Sequence, residues 1–457
     1  VGCAGNVLEL IGGTPMVKVN QLDTGPCELF LKLESHNPGG SIKDRIALAM
    51  IEGAERNGRL RPGGTLVEAT AGNTGLGLAL VASQKGYRLI LVIPDKMSQE
   101  KIFHLKALGA EVVMTRSDVF KGHPEYYQDM ARRLARERGA FFVNQFENPA
   151  NPAAHEASTG PEIWEQMGHD LDAVVCGVGS GGTLTGLGRF FGKVAPHVEM
   201  ILADPKGSVL APLVNDGVMI EAGSWLVEGI GEDFIPANCD LSLVRKAYTV
   251  TDAESISTAR ELLRREGIIC GSSSGTLAAA ALRYCREQDR PKRVVSLICD
   301  SGNKYLSKIF NEYWLDDHGF VLREETHDLR DLITHPHTRK SAVTVGPSDT
   351  LQAAYRKMKM YDVSQLPVMS DGGELIGIVS ESDLLLAVTG NRRSFAMPVS
   401  EAMVSNLVTI QLSQPVEDLL PVFERSMVAI VLDGDRFLGL ITPIDLLQYL
   451  RKRLSQT

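Results

Sequence analysis

Nothing in this 457-residue sequence approaches the roughly 18 consecutive apolar residues needed to cross a bilayer as a helix. Positive charge is also in deficit. Lys and Arg number 47 against 56 Asp and Glu, a net charge of −9. That balance leaves no electrostatic footing for nucleic acid or an anionic membrane surface, and neither partner is expected. Cysteine is sparse and scattered: Cys3, Cys27, Cys176, Cys239, Cys270, Cys285 and Cys299, with no CxxC pair. This excludes a zinc knuckle and a thioredoxin-type couple. An odd set of distant cysteines fits buried free thiols in a reducing compartment. The opening stretch VGCAGNVLELIGGTP has neither the basic nor the apolar segment of a signal peptide. A cytoplasmic location is the expectation.

The chain is too long for one ordinary core, so two or three domains are expected. From Glu28 to about Leu315, short apolar runs alternate with amphipathic segments. LVEAT (66–70), RLILVIP (88–94), EVVMT, FFVNQF, LDAVVCGVG, EMILADP and VVSLICD read as strands. GLGLALVASQKG and SQEKIFHLKALG read as helices. Such alternation predicts parallel strands with crossover helices, an α/β class. Near Asp316 the composition turns charged, and a connector with one short helix, LREETHDLRDLI, is expected. His335 and His337 lie in it without a Cys or acid at ligand spacing, so no metal site is expected. An internal repeat follows, 341–388 matching 406–450. Each copy reads strand, helix, strand, turn, strand, helix. Neither is long enough to bury a good core alone, so the two should pack together.

Four Gly-rich turns stand at strand-to-helix junctions. NPGGSIKDR (37–45) places Lys43 in the first turn of a helix, where the helix dipole disfavours a solvated cation. By itself it reads equally as an exposed lysine beside Asp44. EATAGNTGLGLA (68–79) turns backbone N–H groups outward at a helix start, a nest for carboxylate or phosphate, with Asn73 as an added donor. CGVGSGGTLTG (176–186) is a further anion cradle. It also satisfies GxGxxG through Gly177, Gly179 and Gly182, with Asp204 at the end of the next strand, so a dinucleotide site competes. CGSSSGT (270–276) offers a hydroxyl to a ligand edge or a plain helix cap. One Rossmann-type site needs only one such turn. A ligand with a phosphate, an aldehyde carbon, a phenolic oxygen and a ring nitrogen would use several.

GSIKDR, TAGNTG, GSGGT, VEGIGEDFIP (227–236) and CGSSSG occur in the order found in the fold-type II pyridoxal-phosphate enzymes. Residues 5 to about 318 resemble that family, specifically its cysteine synthase and cystathionine β-synthase branch, and 341–450 resembles the paired CBS modules carried by some members. The resemblance implies two open α/β subdomains followed by an α+β tandem CBS (Bateman) module. The expected limits are 1–318 for the catalytic domain, 319–339 for a linker and 340–457 for the module, with repeats at 341–390 and 399–452. It implies pyridoxal 5′-phosphate as cofactor, held as a Schiff base on Lys43. Asn73 would bond its phenolic oxygen, Gly179, Ser180, Gly181, Gly182 and Thr183 its phosphate, and Ser273 its ring nitrogen. Thr70, Ala71, Gly72, Asn73, Thr74 and Gln145 would grip the substrate carboxylate. Gly229 and Glu232 belong to the loop expected to meet the incoming thiol. The haem extension and CxxC of some members have no counterpart here, so no haem is expected.

The implied reaction is β-replacement, L-serine condensing with L-homocysteine to L-cystathionine and water, with hydrogen sulfide from cysteine as a side product. Lys43 would be the general base at Cα. A neutral Ser273 partner leaves the ring nitrogen a weaker electron sink, which favours prompt loss of a β-leaving group over transamination. Cysteine synthase chemistry, from O-acetylserine and sulfide, is the alternative. Glu232 separates the two, because it can meet the ammonium of homocysteine, a group that sulfide lacks. In the CBS pair, Gln365, Ser380, Asp383, Thr442 and Asp445 are expected to face an adenosyl ligand, S-adenosylmethionine or an adenine nucleotide. The competing reading of Ser380–Asp383 and Thr442–Asp445 is a helix capping box. A homodimer or larger homo-oligomer is expected.

Overall fold

The computed structural model describes residues 3–70, 72–95, 99–116, 118–119, 122–321, 326, 328–333, 342–389 and 394–454. The chain divides into two units, Val1–Trp314 and Leu315–Thr457.

The first unit holds two sheets. The larger runs in the order Met16–Lys18, Glu28–Leu33, Arg293–Ile298, Ala173–Cys176, Glu199–Pro205, Val244–Val250. All its pairings are parallel except the first. The smaller sheet runs Glu111–Thr115, Arg88–Pro94, Thr65–Ala69, Phe141–Phe142 and is parallel throughout. The alternating pattern therefore gives the α/β class it implied, as two open sheets. Leu89 to Ile93 are buried without a break. A strand covered on both faces selects such a continuous apolar run.

Helices cover the sheets with apolar stripes. In helix Lys43–Arg56, Ile46, Ala47, Met50, Ile51 and Ala54 are buried and share a core with Leu66, Leu91 and Ile93. Their spacing of three and four places them on one face, and each large side chain contributes about 1.5–3 kcal/mol. The segment FFVNQF keeps only two residues in the sheet, Phe141 and Phe142. Asn144 then takes a left-handed φ of 52°, and the chain leaves the ladder to bring Gln145 and Phe146 to the site.

Beneath the Lys43 turn, Arg45 is buried and paired with Glu34 and Glu162, both at 2.7 Å. Lys32 is wholly buried and reaches Glu162 at 2.7 Å and the Thr14 carbonyl at 2.6 Å. Buried charges survive only with such partners. These bonds tie helices Lys43–Arg56 and Gly160–Gln166 to the large sheet.

The second unit contains the repeat. Its first copy has helix Leu351–Tyr361, strands Gln365–Met369 and Leu375–Ser380, and helix Glu381–Thr389. Its opening strand is reduced to a single bridge, Val345 to Val368. The second copy keeps a short opening strand, Thr409–Gln411, beside Ala429–Asp433 and Arg436–Ile441, and closes with helix Pro443–Leu454. Met369 and Leu375 of the first copy share a cluster with Ile430, Phe437 and Leu440 of the second. The copies thus complete one another's core, as their length required. Of the helix expected in the connector, Leu329–Leu332 forms one 3-10 turn, and Leu329, Leu332 and Ile333 pack with the second copy. His335 and His337 lie outside the described residues.

Candidate active site

The four Gly-rich turns of the first unit converge on one cavity of about 390 Å³. Open α/β sheets place ligands at the carboxyl ends of their strands, and these turns occupy those ends. Lys43, Thr70, Gly72, Asn73, Thr74, Gln145, Gly179, Ser180, Gly181, Gly182, Thr183, Gly229, Glu232 and Ser273 all line it. Ala71 lies outside the described residues. Tyr127, Phe146, Trp225, Val227, Ile230 and Cys299 line it as well.

The Lys43 amine is the chemical centre of this wall. Burial pushes its pKa down, against the attraction of Cys299, Glu232 and Asp300. It has no hydrogen-bond partner among the described residues. An amine held away from water, with a lowered pKa, is a nucleophile and a base rather than an ion-pair donor. Glu232 brings a carboxyl group to the same cavity. Burial, together with the Asp233 carboxylate, raises its pKa to about 8, and Lys43 partly opposes the rise. Its carboxylate accepts no hydrogen bond and closes no ion pair among the described residues. The backbone of Glu232 is pinned through Ser208 Oγ, at 3.1 Å from its N–H, so the loop is held although the side chain is not.

The carboxylate-nest turn is braced from below. Thr74 Oγ1 donates to Gln145 Oε1 at 2.7 Å, and the Gln145 N–H donates to Glu68 Oε2 at 3.2 Å. Glu68 is fully buried, which lifts its pKa to about 7. The anion cradle opens helix Gly182–Val194, whose first N–H groups have no carbonyl of their own helix to bind. Gly181 sits at φ 85°, a conformation that a side chain would strain. Asn151 donates to Ser180 Oγ at 2.9 Å, and its own buried Oδ1 has no hydrogen-bond partner among the described residues. Thr183 Oγ1 meets His155 Nε2 at 3.2 Å, and burial keeps that imidazole neutral by driving its pKa well down. Ser273 is buried in the first turn of helix Ser272–Arg286, and its hydroxyl makes no hydrogen bond among the described residues. Its neighbours are engaged: Ser272 Oγ accepts the Glu228 N–H at 3.0 Å, and Ser274 Oγ accepts the Cys299 N–H at 2.9 Å.

Asp204 does not serve this cavity. It is fully buried, and its Oδ2 accepts the Ala211 N–H at 2.8 Å, at the start of the next helix. The GxGxxG pattern therefore lacks the ribose-binding acid that a dinucleotide site needs.

Residues 7–300 match the family described as pyridoxal-phosphate dependent enzyme. The chain belongs to that family. Residues 329–390 and 399–452 of this pyridoxal-phosphate-dependent enzyme each match the CBS domain. Cystathionine beta-synthase of Apis mellifera is 36% identical over 459 residues, covering 98% of this chain and 91% of the relative. That of Dictyostelium discoideum is 37% identical, covering 98% and 92%. Cysteine synthase of Staphylococcus aureus is 43% identical over 305 residues, 66% of this chain and 95% of the relative. Among solved structures, a hydrogen sulfide-producing enzyme from Fusobacterium nucleatum superimposes with a TM-score of 0.62 at 37% identity, covering 66% of this chain and all of that one. O-ureido-L-serine synthase does so with a TM-score of 0.63 at 32% identity, covering 71% and 98%.

The wall fits the family's cofactor. A buried amine without a partner suits the aldehyde carbon. An N–H-rich helix start suits the phosphate, and an unengaged hydroxyl suits the ring nitrogen. No three His, Cys, Asp or Glu cluster at metal-binding distance among the described residues. No helix of the described residues is long and apolar enough to cross a membrane.

In the second unit the paired motifs close on themselves. Asp383 Oδ2 accepts the Ser380 N–H at 2.8 Å and the Ser380 hydroxyl at 2.6 Å, and Ser380 Oγ accepts the Asp383 N–H at 3.2 Å. Asp445 Oδ2 likewise accepts the Thr442 N–H at 2.8 Å and its hydroxyl at 2.5 Å. This is capping geometry. Gln365 stands opposite Ser380 in the strand register.

Proposed function

We propose that this chain is a cystathionine β-synthase, a lyase that replaces the β-hydroxyl of L-serine by the thiol of L-homocysteine and releases L-cystathionine and water. One observation carries the reading: a lysine amine and a glutamate carboxyl, neither with a hydrogen-bond partner among the described residues, face one cavity lined by two Gly-rich helix-start turns. Lys43 is the base for the Cα proton, and Glu232 is the counter-charge for the ammonium of the second amino acid. The matches that span nearly the whole chain, both CBS repeats included, support the same reading.

Pyridoxal phosphate, when bound, supplies the electron sink that makes a Cα proton removable. The residues that would hold it are Lys43 at the aldehyde carbon, Asn73 at the phenolic oxygen, Gly179 to Thr183 at the phosphate and Ser273 at the ring nitrogen. A neutral Ser273 hydroxyl leaves that nitrogen without the proton a carboxylate would fix there, which favours β-loss over transamination. Thr70 to Thr74, with Gln145, bind the serine carboxylate by backbone and side-chain donors. Lys43 takes the Cα proton and gives it to the departing hydroxide, which leaves as water; the freed amine then takes the thiol proton of homocysteine as the sulfur bonds to Cβ, and passes that proton to Cα. The same site would release hydrogen sulfide from cysteine.

A second reading, cysteine synthase, is favoured by the 43% identity to the Staphylococcus aureus enzyme over the catalytic portion. Steady-state kinetics decide between them. Serine with homocysteine should give the higher kcat/KM, and a preference for O-acetylserine with sulfide would overturn the first reading. In the CBS pair, Gln365, Ser380, Asp383, Thr442 and Asp445 are assigned to S-adenosylmethionine or an adenine nucleotide, to be tested by calorimetric titration. All seven cysteines are unpaired, which supports a reducing, cytoplasmic setting. A homodimer or larger homo-oligomer completes the proposal, with sedimentation as its test.

A further inference from the structure

Asp300 and Lys304 have no role in the scheme above, yet they touch three of the four turns. Asp300 is fully buried just beyond strand Arg293–Ile298, and its main chain bridges to Ser41, two residues before Lys43. Its Oδ2 accepts Asn73 Nδ2–H at 2.7 Å and the Tyr305 hydroxyl at 2.6 Å. Its Oδ1 is buried without a hydrogen-bond partner among the described residues and lies where a Cβ on Gly271 would collide with it. Gly271 opens the helix that carries Ser273. The Lys304 amine donates to Asn73 Oδ1 at 2.8 Å and to the carbonyls of Gly39 and Gly40 at 3.1 and 3.3 Å, in the turn that leads to Lys43.

These partners fix which way the Asn73 amide points. An ammonium only donates and a carboxylate only accepts. The amide oxygen must therefore face Lys304 and the nitrogen must face Asp300. The flipped amide would set oxygen against carboxylate and N–H against ammonium. Asn73 itself lines the cavity. A ligand oxygen that carries negative charge needs the nitrogen end of that amide, since the oxygen end would repel it.

We propose that Asp300 and Lys304 are positioning residues that lock the Asn73 amide in its donating orientation and hold it in register with the Lys43 and Ser273 turns, so that the phenolic oxygen of the bound cofactor is kept ionised. The inference rests on the reading that pyridoxal phosphate binds in this cavity. Asp300→Asn removes the one-way acceptor and frees the amide to flip. Lys304→Met removes the donor on the other side, and Lys304→Arg retains it.

The test is titration of the cofactor-free full-length protein with pyridoxal phosphate, followed by a pH titration of the visible absorbance of the complex. Wild type should bind with a visible band; failure to do so overturns the underlying cofactor reading. Given that band, Asn73→Ala, Asp300→Asn and Lys304→Met should each weaken cofactor binding roughly tenfold or more. Each should also shift the pH midpoint of the band in one common direction. Asn73→Ala combined with Asp300→Asn should shift the midpoint no further than Asn73→Ala alone, and Lys304→Arg should keep the wild-type midpoint. A wild-type affinity and midpoint in the Asp300 and Lys304 variants, with only the melting temperature lowered, would mean a structural role and overturn the inference. Should Asp300→Asn fail to fold, the two Lys304 variants decide the matter alone.

Discussion

The two units treat polar groups in opposite ways. In the first, three of the groups that face the cavity make no hydrogen bond among the described residues: the Lys43 amine, the Glu232 carboxyl and the Ser273 hydroxyl. Asn151 Oδ1 and Asp300 Oδ1 are likewise buried without hydrogen-bond partners among the described residues. In the second unit the side chains of the repeated motif are consumed locally, Asp383 by Ser380 and Asp445 by Thr442. An unmet buried polar group costs about 1–3 kcal/mol, and that cost is sustained only where something else repays it. The first unit is thus built around a missing chemical partner. In the second the motif is already closed as a cap, and a ligand there has to share or displace it.

Removing the most isolated of the unmet groups gives the largest expected effect. Lys43→Ala should lower turnover of serine and homocysteine by about 10³-fold or more, since a positioned base contributes 10²–10⁴-fold, and should abolish the visible absorbance of the bound cofactor. Spectrophotometry and steady-state assay of the same sample check both. A variant that kept colour and turnover would remove the basis of the comparison.

Glu232→Gln comes next. It should lower kcat/KM for homocysteine roughly 10–100-fold, the worth of a charge-assisted hydrogen bond of about 1.5–3 kcal/mol. The rate with sulfide, which has no ammonium, should change little. Because the Glu232 pKa is raised to about 8, the ratio of wild type to variant should widen as pH rises through that value. Stability takes the opposite sign. Between its ordinary 4.5 and about 8 the folded chain holds a proton that the unfolded chain has released, so stability is lost as pH rises across that window. Cofactor-free Glu232→Gln should therefore melt above wild type at about pH 9 and together with it at about pH 4, as calorimetry would record.

The smallest effect belongs to the second unit. Ser380→Ala removes the hydroxyl of the cap and leaves the carboxylate, which should cost about 1 kcal/mol, read as a small fall in the melting temperature of that unit. Calorimetric titration with S-adenosylmethionine, AMP and ATP should find binding retained in Ser380→Ala and lost in Asp383→Ala. Equal losses in both variants would make the cap itself the determinant.

Much of this was legible in the sequence because it is local. A Gly-rich run between an apolar strand and an amphipathic helix announces its own geometry, and four of them constrain one ligand. Lys43 was ambiguous from its own stretch, and only the convergence of the other turns settles its environment. What stayed hidden depends on distant pairing. Asp300 meets Asn73 across 227 positions of chain, and nothing in SLICDSGNKY marks either Asp300 or Lys304 as facing another turn. Arg45 with Glu162 is hidden in the same way. Tyr127 reaches the cavity from the first position of a helix whose pattern is simply amphipathic. Asp204 shows the reverse: its spacing from GxGxxG was suggestive, and its burial against Ala211 removes the suggestion.

The strand Arg293–Ile298 lies third in the six-stranded sheet, between Glu28–Leu33 and Ala173–Cys176. It is the centre of that sheet and the last of its strands to leave the ribosome. Until it is made, Glu28–Leu33 and Ala173–Cys176 have no common partner, and their facing edges stay open to other chains. The nascent unit must wait for almost its entire length before its main sheet can close, a topology that folds slowly and favours protection of the growing chain.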